Sequence, residues 1–293
     1  MCKCISNFIN LFSAPDLDLS PSPSPSQLIP DWNNKYALLV GINRYHPDLD
    51  CDLQGCVNDV EHLRAILIDQ FEFDPDNIRV LTDERATHNN IIDRLEWLVD
   101  NPNSELVFQY SGHGSQIRDR NGDELNDGMD EILIPYDHDW DFPLTDDALA
   151  AIFENIPESS FLTMICDSCH SGTMSRSVKN KSRFLNPPRD IQFRGESKEL
   201  SVKKIGTRAL ELNHVLFSGC RDDQYSADAL IGGIWQGAFT SSLIKHIGVD
   251  KIWANIYPLV LNTISNGGFE QIPQLNGREI ETRLIFGGKD VRY

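Results

Sequence analysis

The chain has 293 residues, with 26 Lys and Arg against 44 Asp and Glu, and a formal net charge of −18 at pH 7. That acidity argues against a nucleic-acid partner, which needs a basic face to displace counterions, and it suits a basic substrate or partner. Hydrophobic residues make up 40% of the chain, enough for one large core or two small ones, and no run is apolar for long enough to cross a membrane.

The seven cysteines form an odd count in a chain too large to need staples, and they read as free thiols of a reducing cytoplasm. At the start, Phe8–Phe12 is too short for a signal-peptide core. Cys2 and Cys4 beside it offer a lipidation site, but a disordered terminus is the preferred reading. Residues 14–30 (APDLDLSPSPSPSQLIP) form a stiff Ser-Pro linker. Residues 1–34 are therefore expected to be a disordered arm, too short for a recruitment module, and 35–293 one domain.

Strands and helices then alternate. Tyr36–Ile42 (YALLVGI) is a continuous apolar run, expected as a strand buried on both faces. Val57, Val60, Leu63, Ile66, Leu67 and Phe71 recur at helical spacing. Ile78–Thr82 reads as a short strand, and Thr87 as the cap of a helix carrying Ile91, Ile92, Leu95, Leu98 and Val99. Glu105–Tyr110 is a third strand, and Glu131–Tyr136 an excursion. Asp146–Ile156 reads as a helix, Phe161–Cys166 as a fourth strand and His214–Ser218 as a fifth. Helices are expected over Gln236–Ile247 and Ile252–Ile264, and a last short strand over Arg283–Phe286. Repeated strand–helix units predict an α/β fold, a mainly parallel sheet with helices on both faces. Ligands then bind at the carboxyl ends of the strands.

Two such ends carry chemistry. The third strand runs into Ser111-Gly112-His113-Gly114-Ser115 and the fourth into Asp167-Ser168-Cys169-His170-Ser171-Gly172. An imidazole that takes the proton of a thiol creates a nucleophile for carbonyl carbon. Backbone N–H groups such as those of Gly114 and Cys169 can hold the resulting oxyanion. A lone loop histidine or a lone buried cysteine would signify little. Both together, each at a strand end and beside glycine, point to a catalytic His113–Cys169 dyad. His170 is excluded as base because adjacent side chains point apart.

The stretches YALLVGINRY, LQGCVNDV, LVFQYSGHGSQ, DGMDEILIPYD, LTDDAL, MICDSCHSG and FSGCRDDQYSADA, spread over about residues 36–245, resemble the caspase-like cysteine peptidases, specifically the metacaspases and their bacterial relatives. His113 and Cys169 lie 56 residues apart, close to the roughly 50 of caspases. The resemblance implies a caspase-like three-layer sandwich and endopeptidase activity. It also implies that Cys56, Asp59, Ser111 and Asp167 line the pocket for the residue before the scissile bond. Two carboxylates there select Arg or Lys and repel Asp. Asp59 at a helix start and Asp167 as a cap are the blander alternatives. Asp222 and Asp223 follow the fifth strand; Asp223 adds negative potential or binds a basic residue further along a peptide, unless both are solvated loop carboxylates. Trp235 is expected at a helix start, packed in the core or walling the cleft.

DRNGDELNDGMDE at 119–131 does not place Gly and Glu where an EF-hand needs them. The calcium site of many metacaspases is matched at Asp130, Asp146 and Asp147, but Arg176 stands where its fourth carboxylate belongs. The chemistry itself needs no cofactor, and calcium-independent activity is expected. Cys2, Cys4, Cys51 and Cys56 lack zinc spacing.

Residues 174–208 carry ten basic and three acidic residues, a net of +7, leaving −25 on the rest. With Pro187-Pro188 and no periodicity, this segment reads as a long exposed loop. A basic loop beside an Arg/Lys pocket is expected to be cut by the enzyme itself between Arg176 and Arg208. The protein is expected to be a cytoplasmic monomer acting on basic peptides or proteins. Two competing readings are a catalytically silent caspase-fold interaction protein and a dithiol oxidoreductase using Cys166-x-x-Cys169.

Overall fold

The computed structural model describes residues 34–118, 129–169, 180–192, 214–221 and 224–289. The chain divides into two units, Met1–Asp31 and Trp32–Tyr293, and every described residue belongs to the second. The expected disordered arm lies outside the described residues, apart from its last residue, Asn34.

In chain order the elements are β1 (Asn34–Gly41), α1 (Cys56–Asp69), β2 (Ile78–Thr82), α2 (His88–Val99), β3 (Ser104–Ser111), β4 (Gly114–Arg118), β5 (Met129–Leu133), β6 (Leu144–Thr145), α3 (Asp146–Phe153), β7 (Phe161–Asp167), β8 (Lys181–Ser182), α4 (Arg189–Gln192), β9 (His214–Ser218), β10 (Ala227–Ile231), β11 (Ile234–Gly237), α5 (Ala238–Ile244), α6 (Trp253–Asn266) and β12 (Gln274–Gly277). The main sheet has the order β12-β9-β7-β3-β1-β2. Five of its strands are parallel, and β12 closes one edge antiparallel to β9. Two small antiparallel sheets, β4-β5-β6 and β8-β10-β11, accompany it.

The buried strands alternate between two cores, as period-two side chains must. Leu38 and Val40 of β1 with Leu106, Phe108 and Tyr110 of β3 meet Ile91, Leu95 and Leu98 of α2 and Leu149 and Phe153 of α3 on one face. Ala37, Leu39, Val107, Ile165, Val215 and Phe217 meet Val60, Leu63 and Leu67 of α1, Phe239 and Leu243 of α5, and Trp253, Ile256 and Val260 of α6 on the other. This is the expected α/β sandwich: helices cover both faces of a mostly parallel sheet.

Helix starts follow local chemistry. Thr87 Oγ1 accepts from the N–H of Asn90, and Thr145 Oγ1 from that of Ala148. α1 begins after Gly55 with no cap of its own. Asn43 Oδ1, just beyond β1, accepts from the Cys56 N–H at 2.8 Å instead, and Asp228 accepts from Gln54 and Gly55. Long-range side chains therefore place the first turn of α1 against the ends of β1 and β10.

Three local expectations differ from the structure. Trp235 lies on β11, half-buried, where a helix start was expected, because Gly232 and Gly233 at positive φ close a β10–β11 hairpin first. It lines a groove with Asn43, Arg44, Leu53, Asn58 and Asp83, not the core. The sheet's last strand is Gln274–Gly277, a polar edge segment, while Ile285–Gly287 forms a short 3₁₀ turn. The expected excursion at Glu131–Tyr136 begins on β5, which pairs with β4 and β6 apart from the main sheet. Within the segment expected to be an exposed loop, Lys181–Ser182 forms a strand, Arg189–Gln192 a helical turn, and Arg183 is fully buried. No helix among the described residues is long and apolar enough to cross a membrane.

Candidate active site

The sheet's register assembles the site. At the carboxyl edge, Gly41 of β1, Ser111 of β3 and Asp167 of β7 share one rung. His113 and Cys169 are each two residues past that rung on neighbouring parallel strands, so the two loops leave side by side. The N–H groups of Gly114 and Cys169 converge on one acceptor, the carbonyl oxygen of Arg183, at 2.9 and 3.2 Å. These are the two donors expected to hold an oxyanion.

His113 is buried, and its Nε2 lies 2.6 Å from the carbonyl oxygen of Cys51. A carbonyl only accepts, so Nε2 carries the proton and Nδ1 keeps its lone pair. Nδ1 has no hydrogen-bond partner among the described residues, as befits a base awaiting a proton. Burial pulls the imidazole down to about 4, with the Cys51 carbonyl opposing. At neutral pH the ring is therefore neutral. Tyr45 and Tyr110 frame it: the His113 N–H donates to the Tyr45 hydroxyl at 2.7 Å, and Tyr110 donates to the His113 carbonyl at 2.6 Å. A Cβ on Gly112 would crowd both hydroxyls, so glycine is required there. The two tyrosines were not legible as site residues, because nothing local marks them.

Cys169 is fully buried; its thiol donates to the Ser226 carbonyl and accepts from the Ser226 N–H. Cys220 lies beside it. A hydrogen bond with Cys169, then burial, raise the Cys220 thiol strongly. Burial pushes Cys166 up to about 12. A thiol so raised is a poor redox partner, which weighs against the dithiol reading. The five described cysteines, Cys51, Cys56, Cys166, Cys169 and Cys220, are all unpaired.

The carboxylates form a closed pocket around the Arg183 guanidinium. Nη2 donates to Asp59 at 2.7 Å and to Asp228 at 3.2 Å. Nη1 donates to Ser111 Oγ at 2.9 Å and to the Asp167 carbonyl at 3.1 Å, and lies 3.2 Å from Asp167 Oδ2. Ser111 in turn donates to Asp59 at 2.7 Å. Asp167 is fixed from behind by Thr240, whose N–H and hydroxyl donate at 3.0 and 2.6 Å, and by Ser226. Burial opposes the charge on Arg183, but Asp167, Cys56, Asp59 and Asp228 together raise its pKa further. Burial likewise pushes Asp59 up to about 6 against the pull of Arg183. Asp59 also lies in the first turn of α1, so the helix-start and pocket roles coincide.

The structure thus brings Asp59, Ser111 and Asp167 onto one guanidinium, with Cys56 beside it. It adds Asp228, which sequence reasoning missed. The only signal was its place in FSGCRDDQYSADA, where the eye falls on Asp222 and Asp223. Those two, with His170 and Arg176, lie outside the described residues. The three residues matched to a calcium site lie on β5 (Asp130) and in the first turn of α3 (Asp146 and Asp147), two segments that the antiparallel β5–β6 pairing sets side by side. Among the described residues, no group of three or more His, Cys, Asp or Glu side chains is gathered to hold a metal ion. The residue matched to the fourth ligand, Arg176, lies outside the described residues, and no chemical step is routed through a metal.

The family model for the metacaspase, peptidase C14 domain matches residues 35–177. The chain is 33% identical to metacaspase-2 of Arabidopsis thaliana over 89% of its own length and 62% of that protein's. It is 31% identical to metacaspase-1 of Scheffersomyces stipitis over 83% of its length and 70% of that protein's. It is 35% identical to metacaspase-1 of Arabidopsis thaliana over 84% and 70%. A crystal structure of a Geobacter sulfurreducens protein shares the fold with a TM-score of 0.60 at 23% identity, covering 86% of this chain and 98% of that one. On these matches the chain belongs to the metacaspases.

Proposed function

We propose that the chain is a cysteine endopeptidase that cleaves peptide bonds after Arg or Lys. One observation carries the reading: the pocket of Asp59, Ser111, Asp167 and Asp228 closes on a guanidinium while the Gly114 and Cys169 N–H groups bind the carbonyl of that same residue. A substrate Arg held in this way presents its carbonyl carbon to the Cys169 thiol. His113 Nδ1 takes the thiol proton, the thiolate attacks, and the two N–H groups hold the oxyanion. His113 then protonates the leaving amine, and water hydrolyses the thioester by the same route in reverse. The chemistry needs no cofactor, and activity without calcium belongs to the proposal. So do a cytoplasmic monomer, basic peptide and protein substrates, and self-cleavage within residues 174–208.

A positional scan of fluorogenic peptides, with and without calcium, tests this. Turnover is expected only with Arg or Lys before the scissile bond, and loss of more than 10³-fold in Cys169→Ala and His113→Ala is the expected order for a covalent dyad. Specific binding to a partner with no turnover of any peptide would instead indicate a silent interaction protein.

A further inference from the structure

We propose that the enzyme also selects its substrates beyond the scissile bond: the free edge of β4 binds the chain that follows the cut and takes a leucine or another large apolar residue at the second position after it. The inference rests on the peptidase reading above and deepens it, from a single basic residue to a basic residue followed, two positions on, by an apolar one.

Residues 181–185 lie in the site as a peptide would, held by two sheet edges. Before the Arg183 carbonyl, Lys181 and Ser182 pair antiparallel with Asp228 and Ala227 of β10. After it, the chain runs along β4, which lies at the edge of its own sheet in the order β4-β5-β6. Phe184 pairs parallel with Gly114. The Gly114 N–H donates to the Arg183 carbonyl at 2.9 Å, and the Leu185 N–H donates to the Gly114 carbonyl at 3.0 Å. One residue bonded to both neighbours of its partner is the pattern of a parallel ladder, and an open strand edge is a ready template for a peptide. Ser115 is fully buried, and its hydroxyl donates to the Leu185 carbonyl at 2.6 Å. Both backbone polar groups of the second residue after Arg183 are therefore satisfied by β4.

The Leu185 side chain is half-buried and packs against the core that holds Ile117 of β4 and Ile132 of β5. A carboxylate in that place would lose hydration against an apolar wall. The apolar contact belongs to the side chain and the hydrogen bonds to the backbone, so each can be removed without the other. Gly114 also ties this site to the chemistry. Its N–H is one of the two oxyanion donors, and its carbonyl holds the second residue after the cut. A peptide that engages β4 therefore anchors the residue that supports the reacting carbonyl.

The test uses the full chain and internally quenched peptides built on Lys-Ser-Arg-Phe-Leu-Asn, the order of residues 181–186. One version has Asp in place of the Leu. A second has N-methyl-leucine there, which keeps the side chain and removes the N–H. The aminomethylcoumarin amide of Lys-Ser-Arg, which has nothing peptidic beyond the cut, is the reference. The bond cut is read by mass spectrometry and kcat/KM from initial rates. Each altered peptide is expected to lose roughly fivefold or more in kcat/KM against the Leu peptide, the order of one lost hydrogen bond or apolar contact. Ser115→Ala is expected to lower the ratio of kcat/KM for the Leu peptide to that for the coumarin amide roughly threefold or more. A general loss of folded protein leaves that ratio where it was. A smaller loss with either altered peptide, or a smaller change in the ratio, overturns this inference and leaves the peptidase reading standing. No turnover of the coumarin amide or of any extended peptide overturns both.

Discussion

Asp228 offers the sharpest test of how the pocket selects its residue. Its Oδ1 lies 3.2 Å from Arg183 Nη2, while its two oxygens accept from Gln54 and Gly55. At 3.2 Å an ion pair has a Coulomb attraction of about 5 kcal/mol at an effective dielectric of 20, an upper bound before desolvation. Hydrogen bonds to charged groups have a net worth of about 1.5–3 kcal/mol. Asp228→Asn keeps a carbonyl oxygen for the guanidinium and removes one of three mutually repelling carboxylates, so the net loss is expected at about 2 kcal/mol. That is roughly 30-fold in kcat/KM for an Arg peptide. The contact is made in the bound substrate and the transition state alike, so KM carries the change and kcat stays nearly constant. A Lys ammonium is a single point and cannot span Asp59 and Asp228 on one side and Ser111 and Asp167 on the other. The Arg:Lys ratio should therefore fall in the variant. Steady-state kinetics on paired Arg and Lys peptides, with thermal melting as a control for folding, measure this. A loss below threefold on Arg, or an unchanged Arg:Lys ratio, would refute the role given to Asp228.

Further outcomes follow from the same geometry. Asp59, raised by burial to about 6 from 3.8, holds a proton in the folded chain at pH values where the unfolded chain has released it. Its ionisation therefore costs the folded state, and guanidinium binding, which needs the carboxylate beside Asp167, Asp228, Cys56 and Arg183, strengthens as pH rises through about 6. An acid limb in kcat/KM for Arg peptides is expected at or above pH 6, because a pocket emptied of Arg183 lacks the charge that pulls Asp59 down. Gly237→Ala would set a Cβ on Asp167 Oδ2 and within 2.7 Å of Arg183 Nη1, and overpacking of this kind costs about 1–3 kcal/mol. Arg-peptide turnover at least tenfold lower, together with a lower melting temperature, is the outcome to look for. Cys166→Ser should retain activity within a few-fold, because that thiol sits against the core beside Ser168; loss of activity would revive a dithiol role. EDTA should leave turnover unchanged, and activity lost to chelation and restored by calcium alone would show that residues outside the described ones complete a calcium site.

The strands were legible wherever burial on both faces made the sequence continuously apolar. Residues 36–42, 78–82, 161–166 and 214–218 fall within one or two residues of β1, β2, β7 and β9. The polar edge strand β12 and the β10–β11 hairpin have no such run, and hydrophobicity does not mark them. The placing of His113 and Cys169 together was legible because a parallel sheet brings its strand ends to one edge, and both residues follow directly from such ends. Asp228 and Tyr45 were not, because each acts through a partner far away in the chain, Gly55 and Arg183 for the first and His113 for the second, while Tyr110, three residues before His113, reads only as the buried end of a strand.

Arg183 shows most clearly what the chain alone withholds. Composition marks a segment of net charge +7 with ten equivalent candidates, and nothing local distinguishes one from another. The choice is made by two rungs of antiparallel pairing, Asp228 with Lys181 and Ala227 with Ser182. That register sets Arg183 opposite Ser226, whose backbone also holds the Cys169 thiol. A slip of one residue in a β ladder turns every side chain to the other face. It would send Ser182 or Phe184 toward three carboxylates, with no cation to compensate them. The acidic pocket therefore enforces the register as much as the register fills the pocket. A single basic residue, selected in this way, ties the basic segment to the acidic body of the chain.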